Sequence, residues 1–308
     1  MEKYKVAFVI LHYYTIEDTK KCVNSIFDIF DEVNVIIVDN ASPNNTGSEL
    51  RKIYNSNRNV HVIINKENLG FARGNNIGFE YAKNKLKSDF IILCNNDTYL
   101  TDKNFWSKVL NEYEKSNFAV LGPKIILRDN SVNNIVLNLP SIKFVKKTIR
   151  RNYVRYIVYK YLIVLIPFYR LKICIEELCK RIIKKILTKL KRIKVNSNTK
   201  NERHENILLH GCFLIFSKEY IDRFDGLNSK TFLYREEDLL LLRLRQYNLK
   251  NVYNPDIFIY HNEDGATNAI TESNRNKIIF LSRNYIDSSK ILLEEMIKYK
   301  KECTNMKI

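Results

Sequence analysis

Three groups of residues have the types and spacing for chemistry. Asp97 follows the apolar run Phe90-Ile91-Ile92-Leu93-Cys94 and sits in Asn95-Asn96-Asp97-Thr98. A carboxylate flanked by amides suits a hard divalent cation, which can in turn hold phosphate oxygens. The same four residues also fit a plain polar turn that closes a strand. Glu236-Glu237-Asp238 is the second group, three carboxylates in a row after Phe232-Leu233-Tyr234-Arg235. At a helix start they complement the positive end of the dipole. Beside aromatic and aliphatic neighbours, one of them can instead have its pKa raised toward that of a general base. Asp39 and His261 form the third group, each placed directly after an apolar run. A lone histidine at such a place is commonly structural, and the glycine-containing loop 68–76 is by itself a weak phosphate cradle.

Hydrophobic periodicity supplies the elements that must hold these groups. Strands are expected at residues 4–11, 33–38, 60–64, 90–94, 119–127, 208–216 and 257–260. Helices are expected at 17–30, with Cys22, Val23, Ile26 and Phe30 facing inward, and at 47–54, from the 65–76 loop to about 86, at 105–115, 236–247 and 272–301. Strands alternating with helices argue for an α/β domain with a mainly parallel sheet. Asp39 and Asp97 then fall at the carboxyl ends of strands, where open α/β sheets bind ligands. Neither an internal repeat nor a low-complexity linker interrupts the pattern, so a single domain with one insertion is expected. Its parts are 1–140, the insertion 141–206, 207–268 and a terminal helix over 269–308.

Charge is concentrated in the insertion. Residues 141–206 hold 19 Lys and Arg against four Glu, a net of +15 out of +17 for the whole chain. From Leu171 the apolar residues Ile175, Leu178, Ile182, Ile186, Leu190 and Ile193 recur every three or four positions, with Lys172, Lys180, Arg181, Lys184, Lys185, Lys189, Lys191 and Arg192 between them. One apolar stripe on a basic helix is the pattern of a helix lying in a membrane interface. Residues 153–169, rich in tyrosine and interrupted by Lys160 and Pro167, are too short and too charged to span but suit the headgroup boundary. The plainer alternative is a stripe that packs on the domain or on a second copy of the chain. Nucleic-acid binding is disfavoured, because the charge lies on amphipathic sequence and no nucleic-acid motif is present. The six cysteines are scattered without a Cys-x-x-Cys pair, which points to free thiols in a reducing compartment and away from zinc. The first eleven residues carry both signs of charge and suit a strand better than a secretory signal.

Six stretches together resemble glycosyltransferase family 2, in the bacterial branch that includes rhamnosyltransferases and polysaccharide-assembly enzymes. They are Val9-Ile10-Leu11-His12-Tyr13-Tyr14, Val38-Asp39-Asn40-Ala41-Ser42, the 68–76 loop, Leu93-Cys94-Asn95-Asn96-Asp97-Thr98, the Phe232 to Asp238 stretch and His261. They occur in the family's order and cover about residues 4–128 and 207–268. The resemblance implies an A-type glycosyltransferase fold, a Rossmann-like and mainly parallel sheet with flanking helices, to which the basic helical insertion is added. It implies that Tyr13 stacks on the pyrimidine of a UDP- or dTDP-linked sugar and that Asp39 hydrogen-bonds the base. Asn68 and Arg73 would lie near the nucleotide and diphosphate. Asn95-Asn96-Asp97 would stand for the family's Asp-x-Asp-like motif, with Asp97 and His261 on Mg²⁺ or Mn²⁺. Glu237 falls where the family usually has the catalytic base, although Glu236-Glu237-Asp238 in place of Glu-Asp leaves Asp238 as an alternative. The implied reaction is inverting transfer to a hydroxyl of a lipid-linked glycan, with a homo-oligomer possible; the basic insertion, not the resemblance, is what places the enzyme at the cytoplasmic face of the membrane. An inactive, transferase-like scaffold is the alternative.

Overall fold

The computed structural model describes the backbone of residues 4–190, 197–262 and 274–305, and the side chains of 4–178, 199–262 and 275–304. Four parallel strands form one half of a nine-stranded sheet: β1 (Val6–His12), β2 (Asn34–Asp39), β3 (Val60–Ile64) and β4 (Phe90–Asn95), in the order β3-β2-β1-β4. The sheet continues through β8 (Phe213–Ser217), β6 (Val120–Leu127), β9 (Asn251–His261) and the two-residue β5 (Thr98–Tyr99). A further short strand, β7 (His204–Glu205), pairs with β9. β8 runs antiparallel to both neighbours, and β6 runs parallel to β9.

Near-continuous apolar runs suit strands that are covered on both faces, and both faces are covered. Phe8 and Ile10 of β1 point into a core with Cys22, Val23 and Ile26 of α1 (Ile16–Phe27) and Phe105 and Val109 of α4 (Phe105–Ser116). Ala7 and Val9 point the other way, onto Ala72, Phe79 and Ala82 of α3 (Gly70–Asn84) and Leu240 and Leu244 of α8 (Glu236–Gln246). Between β2 and β3, α2 (Thr46–Ile53) adds Leu50 to the first core. Strand register then collects polar residues at one edge. His12 is paired with Asp39, Leu11 with Asn95, and Thr98 with His261.

Two strands differ from the sequence expectation. The apolar stretch 208–216 enters the sheet only at Phe213, while Leu208 makes an isolated bridge to Val136. Residues 209–212 instead form a loop, in which the Cys212 carbonyl accepts from the amide of Asn95. β9 begins six residues before the expected strand, at Asn251. Asn254, Pro255 and Asp256 have turn composition, and the ladder takes them in at a register shift where Pro123 faces Asn254 and Lys124 faces Phe258. A bulge is the place where a sheet accepts proline.

The insertion divides in two. Its first helix, α5 (Ile142–Tyr161), is N-capped by Ser141, whose hydroxyl accepts from the amide of Phe144 at 3.2 Å. Val145 is fully buried, in a satellite core with Leu239 of α8 and Leu292 of α9 (Asn274–Asn305). Arg275 of α9 closes the other end of α5 by donating to the carbonyls of Tyr159 and Lys160 at 2.7 and 3.1 Å. Part of the segment expected at a membrane is thus spent on packing inside the protein. After a 3-10 turn at Ile163–Leu165, α6 (Ile166–Leu190) exposes Leu171, Ile175 and Leu178. The rest of the expected stripe, from Ile182 to Ile193, and the first three residues of the expected terminal helix lie outside the described side chains. A short α7 (Lys218–Ile221) follows β8. Among the described residues no helix is long and apolar enough to cross a membrane.

Candidate active site

Asp97 occupies the turn between β4 and β5, and His261 ends β9. The pairing of β5 with β9 brings their side chains together, with His261 Nε2 3.1 Å from Asp97 Oδ1. The Asn262 amide donates to the Asp97 carbonyl at 3.0 Å, which fixes the turn against the strand. The His261 side chain is 8% exposed, and its Nδ1 is buried without a hydrogen-bond partner. A carboxylate and an imidazole that converge, with one ring nitrogen left orphaned, fit a divalent cation bound by few protein ligands. Among the described residues no group of three or more carboxylate, imidazole or thiol side chains converges, so the remaining positions would fall to phosphate oxygens and water.

The neighbours of Asp97 in sequence have other work. Asn96 is buried, and its side-chain NH₂ donates to Thr15 Oγ1 at 2.9 Å, to the Thr15 carbonyl and to Thr19 Oγ1. That amide ties the Asp97 turn to the start of α1. Asn95 is half-buried, and its carbonyl accepts from Thr98 Oγ1 at 2.7 Å.

A second network surrounds Asp39, which is 2% exposed. Its Oδ1 accepts from the Ser42 hydroxyl at 2.5 Å and from the Ser42 amide at 3.2 Å. His12 lies 4.0 Å away, fully buried between Thr19 Oγ1 at 2.6 Å and Thr46 Oγ1 at 2.9 Å. Burial pushes the His12 imidazole down to about 4 against the opposing pull of Asp39, so the ring is neutral near pH 7 and the contact is no ion pair. Asn40 then locks the following loop. Its Oδ1 accepts from the Leu69 amide at 3.0 Å, and its Nδ2 donates to Asn68 Oδ1 and the Gly70 carbonyl at 2.9 and 3.1 Å. Asn68 accepts the Gly70 amide as well, at 2.9 Å, so its side-chain oxygen is engaged within the loop. Tyr13 is half-buried beside Tyr14, with ring centroids 5.8 Å apart. Arg73 is exposed on the first turns of α3, where its Nε donates to the Leu69 carbonyl at 3.1 Å.

The three carboxylates at the start of α8 have three different environments. Glu236 is buried and accepts from Thr231 Oγ1 at 3.0 Å. Burial first, and the adjacent Glu237 second, push it up to about 7. Asp238 is buried too and pairs with Arg235 Nη1 at 3.0 Å, while its other oxygen has no partner. Burial raises its pKa against the pull of that guanidinium. Glu237 alone of the three is half-exposed. Its Oε1 accepts from the Gly211 amide at 3.2 Å, and a Cβ on Gly211 would lie 2.7 Å from that oxygen, so a larger residue there would displace the carboxylate. The apolar flank therefore acts on Glu236, and the carboxylate that reaches open space is Glu237.

One loop connects the two ends of the site. Residues 209–212 touch Glu237 through Gly211, and the His210 ring stands 6.1 Å from that of His261. Beneath the loop is a cavity of about 230 Å³, lined by Glu237 and His210 together with Gly122, Asn133, Val136 and Leu209. The turn leading into α8 is strained. Tyr234 and Arg235 both have left-handed backbone, with φ of 75° and 72°. Each such non-glycine residue costs about 1–2 kcal/mol.

The family model for glycosyl transferase family 2 matches residues 8–178, more than half of the sequence. The chain belongs to glycosyl transferase family 2. Within curated proteins it is similar to the low-salt glycan biosynthesis hexosyltransferase Agl10 of Haloferax volcanii, 25% identical over 124 residues. That stretch is 40% of this chain and 38% of the relative, so the likeness spans well under half of either protein. Among solved structures, the mannosyltransferase PcManGT from Pyrobaculum calidifontis, determined in complex with GDP-Man and Mn²⁺, superposes with a TM-score of 0.51 at 10% identity. The superposition covers 98% of this chain and 76% of that one, and it supports the A-type glycosyltransferase fold. The S. aureus TarS 1-349 structure gives a TM-score of 0.49 at 12% identity, covering 91% of this chain and 71% of that one.

Four residues of this site carry no role in the sequence pattern. His12, Asn40 and Arg235 lie within the family-like stretches but carry no expected role, and His210 lies within an expected strand. His12 had a readable signal, a polar residue that ends a buried strand directly before Tyr13. For His210 and Arg235 the deciding contacts join elements far apart in the chain, which no local pattern displays.

Proposed function

We propose that this family 2 member is a Mg²⁺- or Mn²⁺-dependent inverting glycosyltransferase that moves a sugar from a UDP- or dTDP-linked donor to a hydroxyl of a lipid-linked glycan. The observation that carries this reading is the 209–212 loop, which meets the Asp97–His261 pair at one end and Glu237 at the other. Asp97 and His261 would hold the metal, whose charge offsets that of the leaving diphosphate when it is bound. Tyr13 would stack on the nucleotide base and Asp39 would hydrogen-bond it, and Arg73 adds positive charge at the start of α3. Asn68 and Asn96 act one step behind, by holding the 65–70 loop and the Asp97 turn in shape. Glu237 accepts the proton of the acceptor hydroxyl, a role that Asp238 is less free to take while paired with Arg235. Attack from that side displaces the diphosphate from the opposite face and inverts the anomeric carbon. A screen of nucleotide sugars, read as release of nucleoside diphosphate with and without chelator, tests the metal and the donor; product anomeric configuration by NMR tests inversion. Absence of turnover with every donor would leave a transferase-like scaffold.

The acceptor's lipid is expected to meet the protein at the α5–α6 elbow. Val164 is 82% exposed and Phe168 69%, with Tyr161, Leu162, Ile163 and Leu171 exposed around them. Lys160, Arg170 and Lys172 flank this apolar surface. Anionic lipid rewards each such cation by about 1 kcal/mol near the surface, which favours peripheral attachment at the cytoplasmic leaflet. Vesicle co-sedimentation should require anionic lipid, weaken with salt and disappear in a Val164→Asp/Phe168→Asp variant. Retained binding in that variant, or equal binding to neutral vesicles, would defeat the attachment. Dimerisation lost in the same variant would instead assign the elbow to a second copy of the chain.

A further inference from the structure

The left-handed Tyr234–Arg235 turn is gripped from two sides. On one side, the Phe71 amide donates to the Phe232 carbonyl at 2.8 Å. Gly70 makes this possible: its φ is +79°, and a Cβ there would lie 2.2 Å from the Phe232 oxygen. On the other side stands α9, which bears on four successive residues. Phe280 meets the Phe232 ring edge-on at 6.1 Å, and Ser288 Oγ donates to the Leu233 carbonyl at 2.8 Å. Tyr285 stacks on Tyr234 with centroids 3.8 Å apart and planes 13° from parallel, and Arg235 Nε donates to Ser289 Oγ at 3.3 Å. Through its other arm Arg235 reaches Asp238, so the grip extends into the first turn of α8. A backbone conformation that these residues rarely adopt persists only where the surroundings over-determine it. Glu237 is two residues beyond that conformation.

We infer that the C-terminal helix α9 is a positioning element of the active site: Tyr285, with Ser288 and Ser289, holds the Tyr234–Arg235 turn and thereby sets the place of the Glu237 carboxylate. None of the three need touch a substrate. The inference rests on Glu237 being the base, so the tests are chosen to separate the two. Tyr285→Leu removes the stacked ring and keeps an apolar residue, whereas Tyr285→Phe keeps the ring and removes only the hydroxyl. Tyr285→Leu should lower kcat about 10- to 100-fold with the donor KM within twofold, and Tyr285→Phe should restore kcat to within threefold of wild type. Hydrogen exchange supplies a readout that needs no activity. In Tyr285→Leu, amides of 233–239 should exchange faster, while those around Leu292 keep their wild-type protection. Unchanged exchange over 233–239 overturns the inference, as does equal loosening of the whole of α9, or a donor KM that rises together with the fall in kcat. If Glu237→Gln leaves transfer intact while the exchange result stands, the base assignment fails and the positioning role of α9 survives.

Discussion

The hydrogen bonds around His12, Asp39, Asn40 and Asn96 join residues between 12 and 96, within the first four strands and their loops. The turn beside Glu237 is held instead by α9, some fifty residues later in the chain, and by the start of α3, about 160 residues earlier. The amino-terminal side of the cleft is therefore built where its strands end, by residues whose pairing follows from sheet register. The carboxyl-terminal side depends on helices packing at the right angle from a distance. A site divided in this way can bind one substrate on a surface fixed by the sheet and place its base through a separate set of contacts.

Removing Asp97 should have the largest effect. Asp97→Ala leaves His261 without its partner and the diphosphate without its counter-charge, a loss of several kcal/mol in the transition state. Turnover should become undetectable and donor affinity should fall, as read by nucleoside diphosphate release and by calorimetry with the donor. Full activity in this variant, or in excess chelator, would remove the metal from the mechanism. Glu237→Gln should act only on the other side of the cleft. It preserves shape and should leave donor affinity within twofold while lowering kcat by roughly 10²–10⁴-fold, the usual contribution of a positioned base. Were Asp238→Asn to give that profile and Glu237→Gln not, the base would sit one residue further along. If donor affinity collapsed in Glu237→Gln, the two sides of the cleft would not be separable.

Legibility in the sequence follows the same division. Apolar runs identified the four parallel strands and their flanking helices, because each is a local pattern covered on both faces. Asp97 and Asp39 were visible for the same reason, as polar residues at the ends of such runs. The Asp97–His261 contact came only from family resemblance, since it depends on β5 pairing with β9 across 164 positions. Burial among Glu236, Glu237 and Asp238 could not be ranked from composition, because the helical phase against α9 and the 209–212 loop decides it. The insertion shows the limit most plainly. Its two helices are both basic and amphipathic, yet α5 buries Val145 between α8 and α9 whereas α6 leaves Leu171, Ile175 and Leu178 in the open. Periodicity states that a face is apolar and leaves open what covers it.

The smallest expected effect is on stability against pH, and it sets one side of the cleft against the other. His12 has its folded-state pKa lowered from 6.5 to about 4. Its contribution is complete above pH 6.5 and is lost as the pH falls toward 4, because the unfolded chain then binds a proton that the folded one refuses. Glu236 has its pKa raised from 4.5 to about 7. Its contribution is complete below pH 4.5 and is lost as the pH rises through 7, because the folded chain then holds a proton that the unfolded one releases. Each shift corresponds to about 3 kcal/mol at its limit. Between pH 4.5 and 6.5 the two slopes have opposite sign and largely cancel, so their joint effect on urea stability in the wild type should be small across that window. Glu236→Gln removes the second slope, and its stability should rise with pH there; His12→Gln removes the first, and its stability should fall with pH. Chemical denaturation at pH 4.5, 5.5 and 6.5 reads both slopes against the wild type. Opposite slopes would show that a neutral imidazole on one side and a protonated carboxyl on the other are built into the folded cleft. Two variants that both kept the wild-type profile would show that neither group is buried as the structure has it.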